Sequence, residues 1–129
     1  MRRAIRSALV AIVGLVLSSA CAAQGARALP AEGAAFLAEW RRAAATGDGE
    51  ALARLAQLPF LFDGHARGRA EFVAIVVPAL FTPAVRRCLQ RAHAQAEDDR
   101  FVLWCKPYAF YVGPVQGRWR LIEFGADAE

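Results

Sequence analysis

Helix-forming and strand-forming patterns are segregated along this chain. Apolar residues recur mainly at helical spacing up to about residue 93, and strand-like alternation dominates from Phe101 onward. Helices first and strands last is the pattern of an α+β fold, with helices packed on an antiparallel sheet. The end of the pattern is its sharpest part. "YAFYV" (108–112), the turn "GPVQG" and "RWRLIEF" (118–124) read as a closing hairpin. On the last strand, strict alternation puts Trp119, Leu121 and Glu123 on one face and Arg118, Arg120, Ile122 and Phe124 on the other.

The chain has 129 residues, enough for one domain and not two. Its first segment is a leader. Arg2, Arg3 and Arg6 precede the apolar run "ALVAIVGLVL" and the small-residue stretch "SSACAAQGARA", the layout of a secretory signal peptide. The run spans ten residues, Ala8 to Leu17, where a membrane-crossing helix needs about 20, so no membrane span is expected. Ala20-Cys21-Ala22 and Ala26-Arg27-Ala28 both have the form of a cleavage site, which gives a signal peptide over residues 1–22 with the cut between 22 and 28, and a single domain over 29–129. "LSSAC" offers an alternative, a lipoprotein anchored through Cys21, although its leucine lies one residue too far upstream for a standard lipobox. Soluble export to the periplasm or the medium is the first reading.

Losing the leader changes the charge. The whole chain carries 16 basic and 12 acidic residues; residues 1–22 contain three arginines and no acid, so 13 basic residues face 12 acidic ones and the net charge falls from +4 to +1. Arg41-Arg42, Arg86-Arg87, Arg118 and Arg120 read as solvated helix faces and strand edges, not as the basic stripe of a nucleic-acid binder. Cys88 and Cys105 remain once Cys21 is removed or lipidated. In an oxidising compartment two cysteines point to one disulfide, with two buried free thiols as the alternative.

Along the mature chain, Phe36, Leu37, Trp40 and Ala44 form one helical stripe, stopped at Thr46-Gly47. Asp48 caps a second, short helix with Leu52, Leu55 and Ala56 inward, ended by Pro59, so that the two helices form a hairpin. "FLF" (60–62) reads as a short strand buried on both sides and Asp63-Gly64 as a turn. A third helix starts at Gly68 and is kinked or ended by Pro78; a fourth is capped by Thr82 with Pro83 at its first position. "AEDDR" reads as an acidic loop, and Pro107 as a bulge or break after "FVLWC".

Two of these stretches carry a resemblance. Gly47-Asp48-Gly49-Glu50-Ala51-Leu52 matches a "GDxxxL" helix pair, and Gln116-Gly117-Arg118-Trp119-Arg120-Leu121 matches the C-terminal Gly-x-Trp-x-Leu hairpin of the NTF2-like superfamily, also called SnoaL-like or cystatin-like α+β cones. The chain resembles that family over roughly residues 32–125. The resemblance implies a curved antiparallel sheet wrapped round the long first helix, the closing hairpin in the middle of that sheet, a pocket at the wide mouth, and dimerisation through the sheet. It also implies that Trp119 fills the cone, so that Trp119→Ala would cost about 3–5 kcal/mol. Because few strands are clear before residue 100, the mouth is expected to be shallow.

No catalytic signature accompanies the scaffold: G-x-S-x-G, HExxH, P-loop and Rossmann fingerprints are missing. The weak catalytic candidates are Asp63 and His65 in "FDGHARG", an acid–base pair or simply good turn chemistry, and Glu123, a buried carboxylate if its face is concave or a strand-end charge that reaches water or pairs with an arginine. Trp40, Tyr108, Trp119 and Glu123 are the candidate pocket residues, with Tyr111 on the strand face opposite Tyr108. His93 suits the end of a helix, where a cation complements the dipole. Two histidines without a third ligand give no metal site, and no cofactor is expected. Phe60, Phe62, Phe72, Phe81, Phe101 and Phe110 read as core. The functional expectation is an exported domain of this fold that binds a small apolar ligand or a protein partner without catalysis; the alternative is an enzyme of the same fold working on a small molecule by acid–base chemistry.

Overall fold

The computed structural model describes residues 12–15 and 27–127. Cys21 and the leader, apart from residues 12–15, fall outside them. The remainder is α+β: helices α1 (Ala31–Thr46) and α2 (Gly49–Arg54), strands β1 (Phe60–Phe62) and β2 (His65–Arg67), a helical stretch, then β3 (Gln95–Glu97), β4 (Arg100–Cys105), β5 (Tyr108–Val115) and β6 (Arg118–Ala126). β3 to β6 form an antiparallel sheet in chain order, and β1 and β2 form a separate hairpin. The sheet does not close into a barrel.

The helical caps follow the sequence. Gly47 ends α1 at φ +66°, the left-handed conformation that glycine adopts without a Cβ penalty. The Asp48 side chain accepts from the Ala51 N–H at 3.0 Å and starts α2. The middle helix is less regular than its sequence suggests. It runs as α3 (Arg69–Glu71), a π-helical turn (Phe72–Val76) and α4 (Val77–Leu80). Pro78 neither ends nor opens it. Proline supplies no N–H to the preceding turn and crowds its carbonyl, and the wider π turn lies immediately before that point. α5 (Pro83–Leu89) is capped by Thr82, whose hydroxyl accepts from the Val85 N–H.

Arg41, expected on a solvated face, instead reaches from α1 to the end of α5. Its Nε donates to the Leu89 carbonyl at 2.9 Å and its Nη2 to that of Ala92. This answers the last carbonyl of α5, and that of Ala92 just beyond the helix, with a cation, the favourable sign at a helix C-terminus. His93 does not fill that role: the helix ends at Leu89 and His93 is exposed beyond it.

α1 lies across the inner face of the sheet. Trp40, fully buried, stands edge-on to Phe110 of β5, with ring centroids 5.7 Å apart, and to Phe81 at 5.9 Å. Phe60, Phe72, Phe101, Leu37, Leu52, Leu89, Leu103, Val112 and Leu121 complete the core, and Phe62 packs at its edge. Each such fully buried large side chain is worth about 1.5–3 kcal/mol of transfer free energy. β1 is buried on one side only: Phe60 points in, while Leu61 is 66% exposed.

The strand hairpins are tight. Asp63-Gly64, Asp98-Asp99 and Gln116-Gly117 are two-residue loops, each opened by a non-glycine residue at positive φ. The acidic stretch before Phe101 is therefore a short strand and its turn. Lys106-Pro107, joined by a cis peptide, is the two-residue loop between β4 and β5. "GPV" continues β5, so the last turn is Gln116-Gly117 alone. Cys88 of α5 and Cys105 of β4 are joined by a disulfide, their Cα atoms 5.8 Å apart, a bond compatible with an oxidising compartment.

Two departures concern the closing strand. β6 is the outermost strand of the four-stranded sheet, not a central one; among the described residues, the pairing beyond it is a parallel bridge from Leu121 to Ala56, with Leu121 donating to the Leu55 carbonyl and accepting from the Gln57 N–H. A bulge also shifts its register: Tyr111 pairs with Glu123 but Val112 pairs with Leu121, which leaves Ile122 unpaired. Past the bulge the faces exchange. Trp119, Leu121 and Phe124 pack on the core, and Glu123 lies on the outer side.

Candidate functional site

The acid–base candidates do not meet. Asp63 and His65 sit exposed at the tip of the β1–β2 hairpin. His65 Nδ1 lies 2.8 Å from the main-chain carbonyl of Asp63, the contact of a ring N–H donating to it, so the hydrogen bond serves the turn and not a carboxylate–imidazole pair. Glu123 stands on the outer face of the sheet, opposite Trp119, where it is ion-paired with Arg100. The Arg100 guanidinium also covers the Tyr111 ring, 4.1 Å from its centroid, so the three side chains cap that face together. The bulge at Ile122 is the physical reason that Glu123 leaves the concave side.

The pocket candidates also separate. Trp40 is sealed in the core and lines no opening. Tyr108 is half-buried against Phe110 and Phe124, at 6.2 and 5.8 Å between ring centroids. Trp119 is half-buried at the open end, between Phe36 and Phe101, and its ring closes over Gly33 of α1. A Cβ at Gly33 would come within 2.8 Å of the indole, so the helix approaches the strand there only because that residue is glycine. The interior of the fold is thus filled by aromatic side chains where an apolar ligand would sit.

The concavity lies elsewhere. An open groove of about 910 Å³ runs between the tip of the closing hairpin and the α2–β1 connection. Its cationic lining is Arg54, Arg69, Arg118 and Arg120, with Glu39 of α1 as the one acid. A smaller depression of about 370 Å³ adjoins it, sharing Glu39, Leu55 and Arg118, and presents Phe36, Trp119 and Glu32. Arg118 and Arg54 are exposed, and Arg120 is half-buried with one guanidinium N–H donated to the Arg54 carbonyl. Arg69 is committed to Glu50, at 2.6 Å. Guanidinium groups in this number offer paired N–H donors to carboxylate or phosphate and no nucleophile or proton acceptor. Arg54 is distant in sequence from Arg118 and Arg120, and the parallel bridge at Leu121, with the Arg120–Arg54 hydrogen bond, brings it beside them.

Among the described residues no cluster of three or more metal-ligating side chains exists, and no single helix is long and apolar enough to cross a membrane. In comparisons with protein-family models, curated proteins and solved structures, nothing matches this chain.

Proposed function

We propose that this chain is an exported NTF2-like domain that binds a protein partner, without catalysis, through the groove beside its closing hairpin. The order of two helices, a strand hairpin, an irregular helix and a four-stranded antiparallel meander supports the NTF2-like reading, as does the long first helix lying across the sheet. The leader pattern and the Cys88–Cys105 bond support export.

One observation carries the binding reading over the enzymatic one. The groups needed for acid–base chemistry lie apart, Asp63 and His65 on one hairpin tip and Glu123 on the outer sheet face, while the open groove beside the closing hairpin is lined with arginine. The filled interior likewise favours a partner at the surface over a small apolar ligand in the cone.

The test uses the full-length chain, tagged at its C-terminus and expressed in a bacterium. The processed, oxidised protein is expected outside the cytoplasm, and a partner captured from the envelope fraction is expected to be lost by Arg118→Glu but kept by the triple variant Asp63→Asn, His65→Gln, Glu123→Gln. Capture that survives Arg118→Glu and fails in the triple variant would overturn the reading.

A further inference from the structure

The chemistry of the groove follows from the geometry of its strand. Arg118 and Arg120 are two residues apart on β6, so their side chains leave the same face, about 6.5–7 Å apart along the strand. Trp119, between them, leaves the other face toward Phe36. One face of the strand therefore opens into the arginine-lined groove and the other onto the aromatic depression. The outer edge of this stretch has no strand beside it: among the described residues β6 is bridged on that side only at Leu121. An unpaired strand edge is a template for another extended segment.

We propose that this edge accepts an extended acidic segment of a partner protein as an added strand, with acidic side chains at alternate positions and an apolar residue between them. The proposal rests on the binding function argued above and specifies its ligand. The spacing of the acids follows from the pleat: carboxylates at positions i and i+2 of the added strand face Arg118 and Arg120 as cross-strand pairs of opposite charge, with Arg54 bordering the same groove. The intervening side chain is directed onto the shelf of Phe36, Leu55 and Trp119. Glu32 and Glu39 line that shelf and repel an acid placed there, so the two faces together read acid–apolar–acid and reject a uniformly acidic run.

The test measures fluorescence polarisation of labelled peptides Gly-Glu-x-Glu-x-Glu-Gly, with x as Leu, Val, Phe or Trp, against the oxidised mature protein. At least one peptide is expected to bind saturably, to weaken with added salt, and to lose at least tenfold in affinity with Arg118→Glu or Arg54→Glu, both at exposed positions, while the circular dichroism and melting temperature of the variants stay near those of the parent. Lysine in place of glutamate is expected to abolish binding, and N-methylation of the central amide to cost at least tenfold. Glu39→Gln is expected to bind an all-glutamate peptide more tightly than the parent does.

Failure of all four peptides to bind, or equal binding by the parent and both charge-reversal variants, would overturn the proposal. Displacement by millimolar citrate or inorganic phosphate, with no effect of N-methylation, would overturn it in favour of a small-anion site. Because partner capture from the envelope fraction is scored separately, capture that depends on Arg118 without peptide binding rejects the strand-addition chemistry alone and leaves the binding function standing.

Discussion

Trp40 and Trp119 sit on facing elements and contribute unequally. Trp40 is fully buried among Phe36, Phe81 and Phe110, and its Nε1 meets no acceptor among the described residues, so it acts by packing alone. Trp40→Ala is expected to cost about 3–5 kcal/mol in urea unfolding. Trp119 is half-buried at the rim, and Trp119→Ala is expected to cost about 0.8–1.5 kcal/mol, half the transfer free energy of a fully buried large side chain. Equal losses would place the second indole as deep as the first. The helical stripe of Phe36, Leu37 and Trp40 was legible because period 3.6 marks a buried face directly. The rank of the two indoles was not, since a strand alternates identically at its rim and at its centre. Gln116 tells a similar story. It holds φ +50° in the last turn, a conformation that asparagine adopts more readily, so Gln116→Asn is expected to raise stability by about 0.5 kcal/mol in thermal unfolding.

Among elements, those punctuated by capping residues were readable and those shaped by neighbours were not. Gly47, Asp48 and Thr82 each take the terminal role that their chemistry favours. β3, by contrast, is three residues of Gln-Ala-Glu, whose strand character comes from pairing with β4 and not from composition. The Cys88–Cys105 bond ties α5 to β4 across a separation of 17 residues, and the double variant Cys88→Ala, Cys105→Ala is expected to lose about 3 kcal/mol in denaturant melts. The segment before α1 is also held. Arg27 lies over the Phe101 ring, 5.0 Å from its centroid, and donates to the Arg100 carbonyl. A chain starting at Leu29 is expected to be about 0.5–1 kcal/mol less stable than one starting at Ala23, a difference that paired thermal melts would reveal.

For the whole molecule, the α+β class was written in the order of its patterns, whereas the groove was written nowhere in particular. Arg54 ends a helix, Arg118 and Arg120 flank a tryptophan, and each reads alone as a solvated charge; they become a surface only when the α2–β1 connection pairs with β6. Glu123 was misplaced for a related reason, because a bulge leaves no mark in composition and reverses every side chain beyond it. Ile122 is therefore the extra residue that the bulge absorbs, opposed to no residue of β5. Swapping its side chain should be tolerated, and a chain shortened by that single residue would pair Leu121, Glu123 and Phe124 straight through with Val112, Tyr111 and Phe110, keeping the phenyl ring inside and the carboxylate in water. A chain that kept the residue but ironed out the kink would turn both the wrong way.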